Sequence, residues 1–330
     1  MGDRANLILV KEGEYELHYS HWCAHTLPED FFWGPEHAEA LIRVQPLVDD
    51  SGWLDDVGAE GGVVLDFDRK NLLLFGGEEV LDDVPLRRVY LELLERAWRQ
   101  WTVRWAYEGI ADLADYVGYP RQQVLYEGGN DWVIVRLTPP ARREMTRVVA
   151  SLRLEDGSIR LYPLMLNVVH YLGVGSKLAT DIRKVEGMRR LFLDEWRTRL
   201  PVGGFHLDLV TRGLDYWVAG RAADIENRVS RAWPGFETCW HRDRYEMQLE
   251  RTEGLLRFAV PDHRTLLDRC REMLLQDRGT SPVGLVRKLV EDARKQHKDV
   301  HVQPVAFRDD RVELSKERRI AIVNAAMAEM

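Results

Sequence analysis

An internal repeat constrains the fold of this chain more than any other feature of its sequence. Residues 96–105 read RAWRQWTVRW and residues 231–240 read RAWPGFETCW. A second pair of blocks precedes them in the same order, GGVVLDFDRKNLLLFGG at 61–77 and GGFHLDLVTRGLDYWVAG at 203–220. The chain has 11 tryptophans in 330 residues, and most of them recur inside these blocks. The repeat therefore predicts a duplicated fold whose tryptophans pack in the core.

The earliest matched blocks have the pattern of β-hairpins. ANLILVKEGEYELHYSHW at 5–22 and VVASLRLEDGSIRLYPLM at 148–165 each place a charged turn with glycine between two apolar runs. Apolar residues at helical spacing predict a helix ahead of each tryptophan block. Another helix is expected after Gly34-Pro35, because proline suits the first turn of a helix, and its counterpart after Gly175. Each copy thus reads strand–strand–helix–strand–strand–helix–strand.

The predicted fold class is α+β, an internally duplicated ββαββαβ unit with a C-terminal helical and hairpin appendage. We expect the first copy over residues 1–145, the second copy over 146–258 and the appendage over 259–330. Within the appendage the pattern predicts helices near 262–275 and 283–296, a short hairpin in VHVQPVAF and RVEL, and a final helix N-capped by Ser315.

The first hairpin is predicted to be polar at the end away from its turn. With a two-residue turn at Glu12-Gly13, Asn6 faces Tyr19 and Arg4 faces His21 on one side of the ribbon. Burying such groups without partners would cost about 1–3 kcal/mol for each neutral group and more for the charge. This end therefore either opens to solvent and ligand or satisfies its polar groups internally.

The second hairpin is predicted to be apolar at the same end. The same register pairs Ala150 with Pro163 and Val148 with Met165, so the second copy is interpreted as the degenerate one. A slip of one residue would turn every side chain to the other face, so this comparison depends on the length of the turn.

The polar hairpin base is the candidate functional site. An arginine with amide and imidazole groups suits a phosphate, a carboxylate or a developing oxyanion. The predicted catalytic residues are His21, Arg4 and Asp3. The predicted ligand-binding residues are Asn6, Tyr19 and Trp22. The alternative is structural, with His21 held by a backbone carbonyl or by Tyr19, and Arg4 paired with Asp3.

The stretch HYSHWCAH at 18–25 raises the question of a metal site, because it holds three histidines and a cysteine. On an extended strand, side chains two residues apart are about 6.6 Å from each other. Zinc ligands lie about 2.0–2.3 Å from the ion, so their donor atoms must converge more closely. We therefore predict no metal here, a solvated strand position for His18 and a small buried thiol at Cys23.

The opening residues resemble those of a family of uncharacterised bacterial and phage proteins. These proteins begin M-G-x-R-[AS] and continue through a hairpin to an aromatic-x-H-W segment. Met1-Gly2-Asp3-Arg4-Ala5 and Tyr19-Ser20-His21-Trp22 match this pattern. The D-G-Y-P sequence that often follows in the family is replaced by Cys23-Ala24-His25. The resemblance spans about the first 25 residues, implies no established activity and singles out Arg4 and His21.

Composition and motifs exclude several classes of protein. A net charge of −8 and a pI near 5.8 argue against a general nucleic-acid binder, which needs basic surfaces. Three widely spaced cysteines and the lack of a secretion signal or a long apolar run predict a cytoplasmic chain with reduced thiols. No dinucleotide fingerprint, zinc-protease motif, nucleophile elbow or EF-hand loop occurs, so no cofactor is expected.

These observations favour a binding protein of the regulatory, accessory or immunity type. Its first copy would hold a small polar pocket, and its partner would be a protein or an anionic small molecule. The alternative is a metal-independent hydrolase or transferase. In that case His21 would act as general base, Arg4 would stabilise the anion and Asp3 or Tyr19 would orient the base.

Overall fold

The computed structural model of the chain describes residues 3–126, 137–140, 145–193, 200–276, 282–296, 298, 300, 302, 304–308 and 312–330. Internal contacts divide the chain into two compact units. The first unit comprises Met1–Val80, Leu86–Tyr126 and His263–Met330, and the second comprises Leu81–Pro85 and Glu127–Asp262. The C-terminal segment thus groups with the first unit, and the boundaries expected at residues 145 and 258 stay a prediction.

The first unit is built on a six-stranded mixed sheet. Its strands are β1 (Ala5–Lys11), β2 (Glu14–Ser20), β3 (Leu47–Val48), β4 (Gly61–Asp66), β5 (Asn71–Phe75) and β6 (Thr102–Trp105). They lie in the order β3-β2-β1-β4-β5-β6. The pairs β1–β4 and β5–β6 are parallel, and the hairpin pairs β1–β2 and β4–β5 are antiparallel. Every residue of β4 and β5 is buried, as expected of central strands covered on both faces.

Helices cover both faces of this sheet. Those from the first half of the chain are α1 (Cys23–Phe31), α2 (Pro35–Val44), α3 (Glu78–Leu81), α4 (Val84–Ala97) and α5 (Ile110–Val117). A Cβ atom added at Gly61 would meet Ala24 of α1, whereas one added at Gly62 would meet Leu113 of α5. Because neighbouring residues of a strand point to opposite faces, α1 and α5 lie on opposite sides of β4.

The second unit repeats this arrangement around a five-stranded sheet. Its elements are β7 (Val148–Arg153), β8 (Ile159–Leu164), α6 (Val168–Gly173), α7 (Lys177–Asp181), β9 (Leu191–Leu193), β10 (Gly203–Asp208), β11 (Gly213–Val218), α8 (Ile225–Ala232), β12 (Glu237–Trp240), α9 (Glu246–Arg251) and β13 (Leu256–Phe258). The large sheet has the order β12-β11-β10-β7-β8, and β13 pairs with β9. A Cβ at Gly203 would meet Val168 of α6, and one at Gly204 would meet Gln248 of α9.

Five strands of each large sheet therefore follow one order, with parallel pairs at the same two places. This confirms the predicted α+β class and the predicted order of strands and helices in the two copies. The tryptophan blocks match in atomic detail. The indole of Trp98 donates to the Phe31 carbonyl at 3.0 Å, and that of Trp233 donates to the Leu172 carbonyl at 2.8 Å. Each of these indoles also meets the aromatic ring three positions later edge to face, with centroids 5.2 Å apart in both units.

The turn of the first hairpin is the predicted one. Lys11 pairs with Glu14, so Glu12-Gly13 forms a two-residue turn with φ of 55° and 81°. Both values lie in the left-handed region that such tight hairpin turns require, and Gly13 adopts it without steric strain. The predicted pairing of Asn6 with Tyr19 is confirmed.

The second hairpin has a different turn, and its predicted register is wrong by one residue. Val148 pairs with Leu164 rather than with Met165. Ala150 pairs with Tyr162 rather than with Pro163. The cause is a three-residue loop, in which Leu154 N–H donates to the Ser158 carbonyl at 2.9 Å and Gly157 adopts φ of 81°. The extra loop residue shifts one strand against the other.

Helix α1 was not predicted, and a proline interrupts its pattern of backbone hydrogen bonds. Pro28 lies inside α1 and has no N–H to donate to the Ala24 carbonyl one turn earlier. The Gly77 N–H takes that place and donates to Ala24 O at 2.8 Å. A Cβ atom at Gly77 would lie 2.3 Å from Pro28 Cγ, so only glycine permits this approach. The defect in the helix is thus satisfied by a residue from another part of the first unit.

The C-terminal segment contains the three predicted helices, α10 (His263–Leu275), α11 (Pro282–Lys295) and α12 (Lys316–Met327). Ser315 caps α12, and its hydroxyl accepts from Arg318 N–H at 3.3 Å. The hairpin predicted between α11 and α12 lies partly outside the described residues. Where this stretch is described, Pro304–Phe307 forms a single 3-10 turn rather than a strand.

No helix in the described part of the chain is long and apolar enough to cross a membrane.

Candidate functional site

The base of the first hairpin brings the predicted catalytic residues together. The Asp3 N–H donates to the His21 carbonyl at 2.9 Å, so the two chains stay together beyond Ala5, shifted by one residue from the β1–β2 register. The Tyr19 hydroxyl lies 3.0 Å from His21 Nδ1. Burial raises the pKa of the Asp3 carboxyl, opposed by the nearby imidazoles of His25 and His21. Asp3, Tyr19 and His21 therefore lie together in one polar cluster, and their predicted role in catalysis or binding stays a prediction.

Arg4 lies next to this cluster. Its backbone is hydrogen-bonded to Glu60, and its side chain has no partner among the described residues. Its N–H donates to Glu60 Oε2 at 2.9 Å, and its carbonyl accepts from Glu60 N–H at the same distance. Its guanidinium makes no hydrogen bond or ion pair with the residues that the structure describes. Burial raises the pKa of the Tyr19 hydroxyl, whereas the positive charge of Arg4 acts to lower it. The predicted pairing of Arg4 with Asp3 is not among the described ion pairs.

Asn6 and Trp22 are held by contacts within the first unit. Asn6 is fully buried, its Nδ2 donates to Gly52 O at 3.1 Å, and its Oδ1 accepts from Leu54 N–H at 2.8 Å. The amide thus fastens the segment after β3 to β1. The Trp22 indole N–H donates to Ala306 O at 3.3 Å. Both contacts account for these side chains structurally, and the catalytic and ligand-binding assignments at the hairpin base stay predictions.

The HYSHWCAH stretch is split between a strand and a helix. Strand β2 ends at Ser20, and Cys23 begins α1 with its thiol buried. His18 is buried rather than solvated, because β3 pairs along the outer edge of β2 and His18 Nδ1 lies 3.0 Å from Gln45 O. His25 forms a half-exposed ion pair instead, with Glu78 at 2.9 Å. These histidines therefore have separate partners.

The corrected register changes the comparison of the hairpin bases. Asn6 pairs with Gly62 on β4, and Val149 pairs with the matching Gly204 on β10. Asn6 therefore corresponds to Val149. Arg4, two residues before Asn6, corresponds to Arg147 rather than to Val148. Arg147 differs from Arg4 in having a partner, because its Nη2 lies 3.6 Å from Asp82 Oδ2. The first unit thus differs in having at this position an arginine whose side chain has no partner among the described residues.

A polar pocket at the other edge of the same sheet was not found from the sequence. It has a volume of about 260 Å³ and is lined by Arg69, Asn71, Thr102, Arg104 and Tyr116. Asn71 and Thr102 are paired across β5 and β6, and Arg104 follows on the same face of β6. Tyr116 comes from α5, the helix that covers this face, and Arg69 comes from the turn between β4 and β5.

The floor of the pocket is a closed set of hydrogen bonds. The Tyr116 hydroxyl donates to Asp66 Oδ2 at 2.7 Å, and Arg69 N–H donates to Asp66 Oδ1 at 2.9 Å. Asp66 thus caps the turn after β4. With its amide oriented by its partners, Asn71 donates to Thr102 O at 3.0 Å and accepts from Arg104 Nη2 at 2.8 Å. Burial and the bond to Asp66 raise the pKa of the Tyr116 hydroxyl.

The two arginines of the pocket share one aromatic ring. The guanidinium carbons of Arg69 and Arg104 lie 5.8 and 5.6 Å from the centroid of Tyr116. Within the described parts of the chain, neither guanidinium has an ion pair. Two like charges around one ring repel each other unless an anion lies between them. The pocket therefore offers arginine, amide and hydroxyl groups to a negatively charged ligand.

These residues escaped sequence reasoning because they are far apart in the chain and fall on no motif. The only local signal was the loss of Asn71 in the second copy, where Gly213 stands, and the replacement of Arg104 by Cys239.

Comparison with known proteins adds no assignment: no family model, no curated protein and no solved structure matches the chain.

Proposed function

We propose that this protein is a binding protein whose first unit holds an anionic small molecule through a phosphate group. The observation that carries the proposal is the pocket with two guanidinium groups, Arg69 and Arg104, around the ring of Tyr116, neither of which has an ion pair among the described residues. Arginine recognises phosphate and carboxylate oxygens through parallel N–H bonds in a fixed plane. A regulatory or accessory role, as expected from the sequence, is part of this proposal.

The chemistry of the pocket favours phosphate over carboxylate. A phosphate monoester has three terminal oxygens that accept hydrogen bonds and carries about two negative charges at neutral pH. The pocket supplies donors from two arginines and the hydroxyl of Thr102, in addition to the groups of its floor. Pockets for drug-sized ligands begin at about 300 Å³. A pocket of about 260 Å³ matches the phosphate end of a small molecule, with the remainder outside.

The test is calorimetric titration of the full-length protein with inorganic phosphate. We expect one site per chain, and we expect Arg69→Ala and Arg104→Ala each to weaken binding by about tenfold or more, since each removes a charge-assisted hydrogen bond. Phosphate should also raise the melting temperature of the wild type, because a ligand that binds only the folded state stabilises it.

The matched control is Arg212→Ala in the second unit. Arg212 lies over an aromatic ring in the same way, 5.2 Å from the centroid of Phe236, but lines no described pocket. Its loss should leave phosphate affinity unchanged. The proposal fails if the wild type does not bind phosphate. It also fails if the Arg69→Ala/Arg104→Ala double variant binds phosphate as tightly as the wild type does.

The hairpin base supports a second proposal, a hydrolase or transferase with His21 as general base. The supporting observation is the 3.0 Å contact between the Tyr19 hydroxyl and His21 Nδ1, which fixes the orientation of the ring. Arg4 would then stabilise the developing anion. Hydrolysis of p-nitrophenyl phosphate by the wild type, lost in His21→Gln and retained in Arg104→Ala, would support this second proposal. Equal rates with His21→Gln would overturn it.

A further inference from the structure

Three metal-ligating side chains converge at the edge of the second sheet. Asp215 lies on β11 and pairs with Cys239 on the parallel strand β12. Because the two residues are directly paired, their side chains lie on the same face of the sheet. His241 follows Cys239 by two positions, and its N–H donates to Tyr216 O at 2.8 Å, which continues the ladder beyond the end of β12. The register thus places all three side chains on one face.

Their donor atoms are already close enough for a single ion. One oxygen of Asp215, the Cys239 sulfur and a ring nitrogen of His241 all lie within 4.8 Å of one another. His241 Nε2 lies 2.6 Å from Asp215 Oδ1. In the described part of the chain, no other group of three histidine, cysteine or carboxylate side chains converges in this way. Tetrahedral zinc, with ligand distances of about 2.0–2.3 Å, holds its donor atoms about 3.3–3.8 Å apart, so the ion would replace the 2.6 Å contact between His241 and Asp215 and separate these two atoms by about 1 Å more.

The surroundings hold the carboxylate in place and leave the cysteine open. Arg251 Nε forms an ion pair with the second oxygen of Asp215 at 3.1 Å, and the first oxygen is directed toward His241. Outer contacts of this kind orient the ligands of metal sites. The Asp215 and His241 side chains are 16% and 20% exposed, and Cys239 is exposed to solvent. An ion can therefore enter from solvent without any movement of the sheet.

We propose that Asp215, Cys239 and His241 bind a zinc ion at the edge of the second sheet, with a fourth position open to solvent. Mixed sulfur, nitrogen and oxygen ligands suit zinc, and three protein ligands with one open position are the arrangement of zinc sites that bind an external ligand. This proposal is independent of the phosphate pocket, which lies in the first unit.

The test uses Co²⁺ as a spectroscopic substitute for zinc in the reduced, chelator-treated full-length protein. We expect one Co²⁺ per chain, a thiolate-to-cobalt charge-transfer band in the near ultraviolet and its loss when Zn²⁺ is added. Cys239→Ser should abolish the charge-transfer band, and His241→Ala should weaken Co²⁺ binding by at least tenfold. Arg251→Ala should weaken it by about 10- to 100-fold, as loss of an outer contact does.

The control variant is Cys270→Ala, which removes a buried thiol of the first unit and should leave the band unchanged. Circular dichroism checks that Cys239→Ser is folded. We expect it to be, because Cys239 is exposed and its substitution disturbs no packing. The proposal is overturned if the wild type shows no charge-transfer band or if Cys239→Ser retains it. Equal Co²⁺ affinity in the wild type and His241→Ala would mark adventitious binding to the thiol alone and would equally overturn the proposal.

Discussion

Matched positions of the two large sheets carry opposite chemistry on one face. In each sheet, four residues paired side by side across four neighbouring strands form what we name the cross-strand row. In the first unit it consists of Ile8, Val64, Leu73 and Arg104. In the second unit it consists of Ser151, His206, Asp215 and Cys239. Three apolar residues and one cation thus correspond to four polar residues on the same backbone ladder.

The comparison shows what a duplicated fold tolerates at its centre. Ser151 and His206 are buried, yet Ser151 Oγ lies 2.9 Å from His206 Nδ1. Gln248 from α9 donates to Ser151 Oγ at 3.1 Å and to two backbone carbonyls. A buried row can therefore turn polar when a covering helix supplies partners for it. The buried residues at the base of the second hairpin, Val149 and Pro163, are apolar, but this face of its sheet is not.

Both cross-strand rows become exposed at the edge strand, and both candidate sites lie there. Arg104 ends the first row and lines the phosphate pocket, whereas Cys239 ends the second row and belongs to the proposed zinc site. The edge strand is where a side chain is exposed while its backbone is still fixed by the ladder. If both proposals hold, the two units bind different ligands at the same place in the fold.

Gln248→Leu gives the largest effect expected, because Leu113 occupies the corresponding place over Gly62 in the first unit. The Trp217 indole would lose the amide oxygen that it donates to at 2.9 Å, and Ser151 would lose a donor. Each unsatisfied buried group costs about 1–3 kcal/mol, so we expect a loss of about 4 kcal/mol in urea unfolding. Leu113→Met, the control, should cost less than about 1.5 kcal/mol. A more stable Gln248→Leu would mean that the polar row is not held by α9.

His206→Val installs the residue of the first row and should flatten the dependence of stability on pH. Burial lowers the pKa of His206 from 6.5 to about 4, with Asp208 and Asp215 opposing the shift and Arg153 and Arg251 adding to it. The unfolded chain therefore binds the proton first, and stability falls as pH falls from about 6.5 to about 4. A shift of that size corresponds to at most about 3 kcal/mol at pH 4.

The measurement is the free energy of unfolding of metal-free wild type and His206→Val at a series of pH values. The advantage of the wild type over the variant should shrink across this window, while the carboxylates common to both cancel. If the difference between the two proteins is constant from pH 7 to pH 4, within the error of denaturant unfolding, His206 has the same pKa in the folded and the unfolded state, and the prediction is wrong.

Tyr116→Phe tests the polar floor at the edge of the first row. The buried carboxylate of Asp66 loses the hydroxyl that donates to it at 2.7 Å, so we expect a loss of about 2 kcal/mol in thermal unfolding. Tyr119→Phe is the control, because its hydroxyl bonds the exposed Gln123 side chain and its loss should cost under about 0.5 kcal/mol. Equal losses of stability in the two variants would mean that the Tyr116 hydroxyl contributes no more than a hydroxyl at the surface.

His21→Met gives the smallest expected effect and sharpens the comparison of the hairpin bases. Met165 occupies the corresponding position of the second hairpin, given the corrected register. The substitution removes the contact with the Tyr19 hydroxyl, so we expect a loss of about 1 kcal/mol in denaturant unfolding. A gain in stability would instead indicate that this imidazole is retained for binding or catalysis at the expense of the fold.

The sequence was sufficient to predict those structures that neighbouring residues determine. Gly13 in a charged two-residue turn determined the first register, and the spacing of Tyr90, Leu93 and Trp98 determined α4. The second register failed because Asp156-Gly157 resembles a two-residue turn, whereas Gly157 occupies the left-handed position of a longer loop. Turn length decides register, and composition alone does not distinguish these two lengths.

The candidate sites beyond the hairpin base could not be predicted because tertiary pairing creates them. Asn71 meets Thr102, and Asp215 meets Cys239, only because the strands that carry them are parallel neighbours joined by a helix. No spacing of residues along the chain predicts such pairs. His18 was misplaced for the same reason, since the strand that covers it arises from a loop with no strand pattern.

The proline of α1 has a consequence for the order in which the chain can fold. A helix normally completes its hydrogen bonds from its own residues, but the Ala24 carbonyl depends on Gly77. Gly77 follows β5, so the hydrogen bonds of α1 are complete only in a chain that already contains β4 and β5. A fragment that ends before Gly77 would lack this bond in the middle of α1.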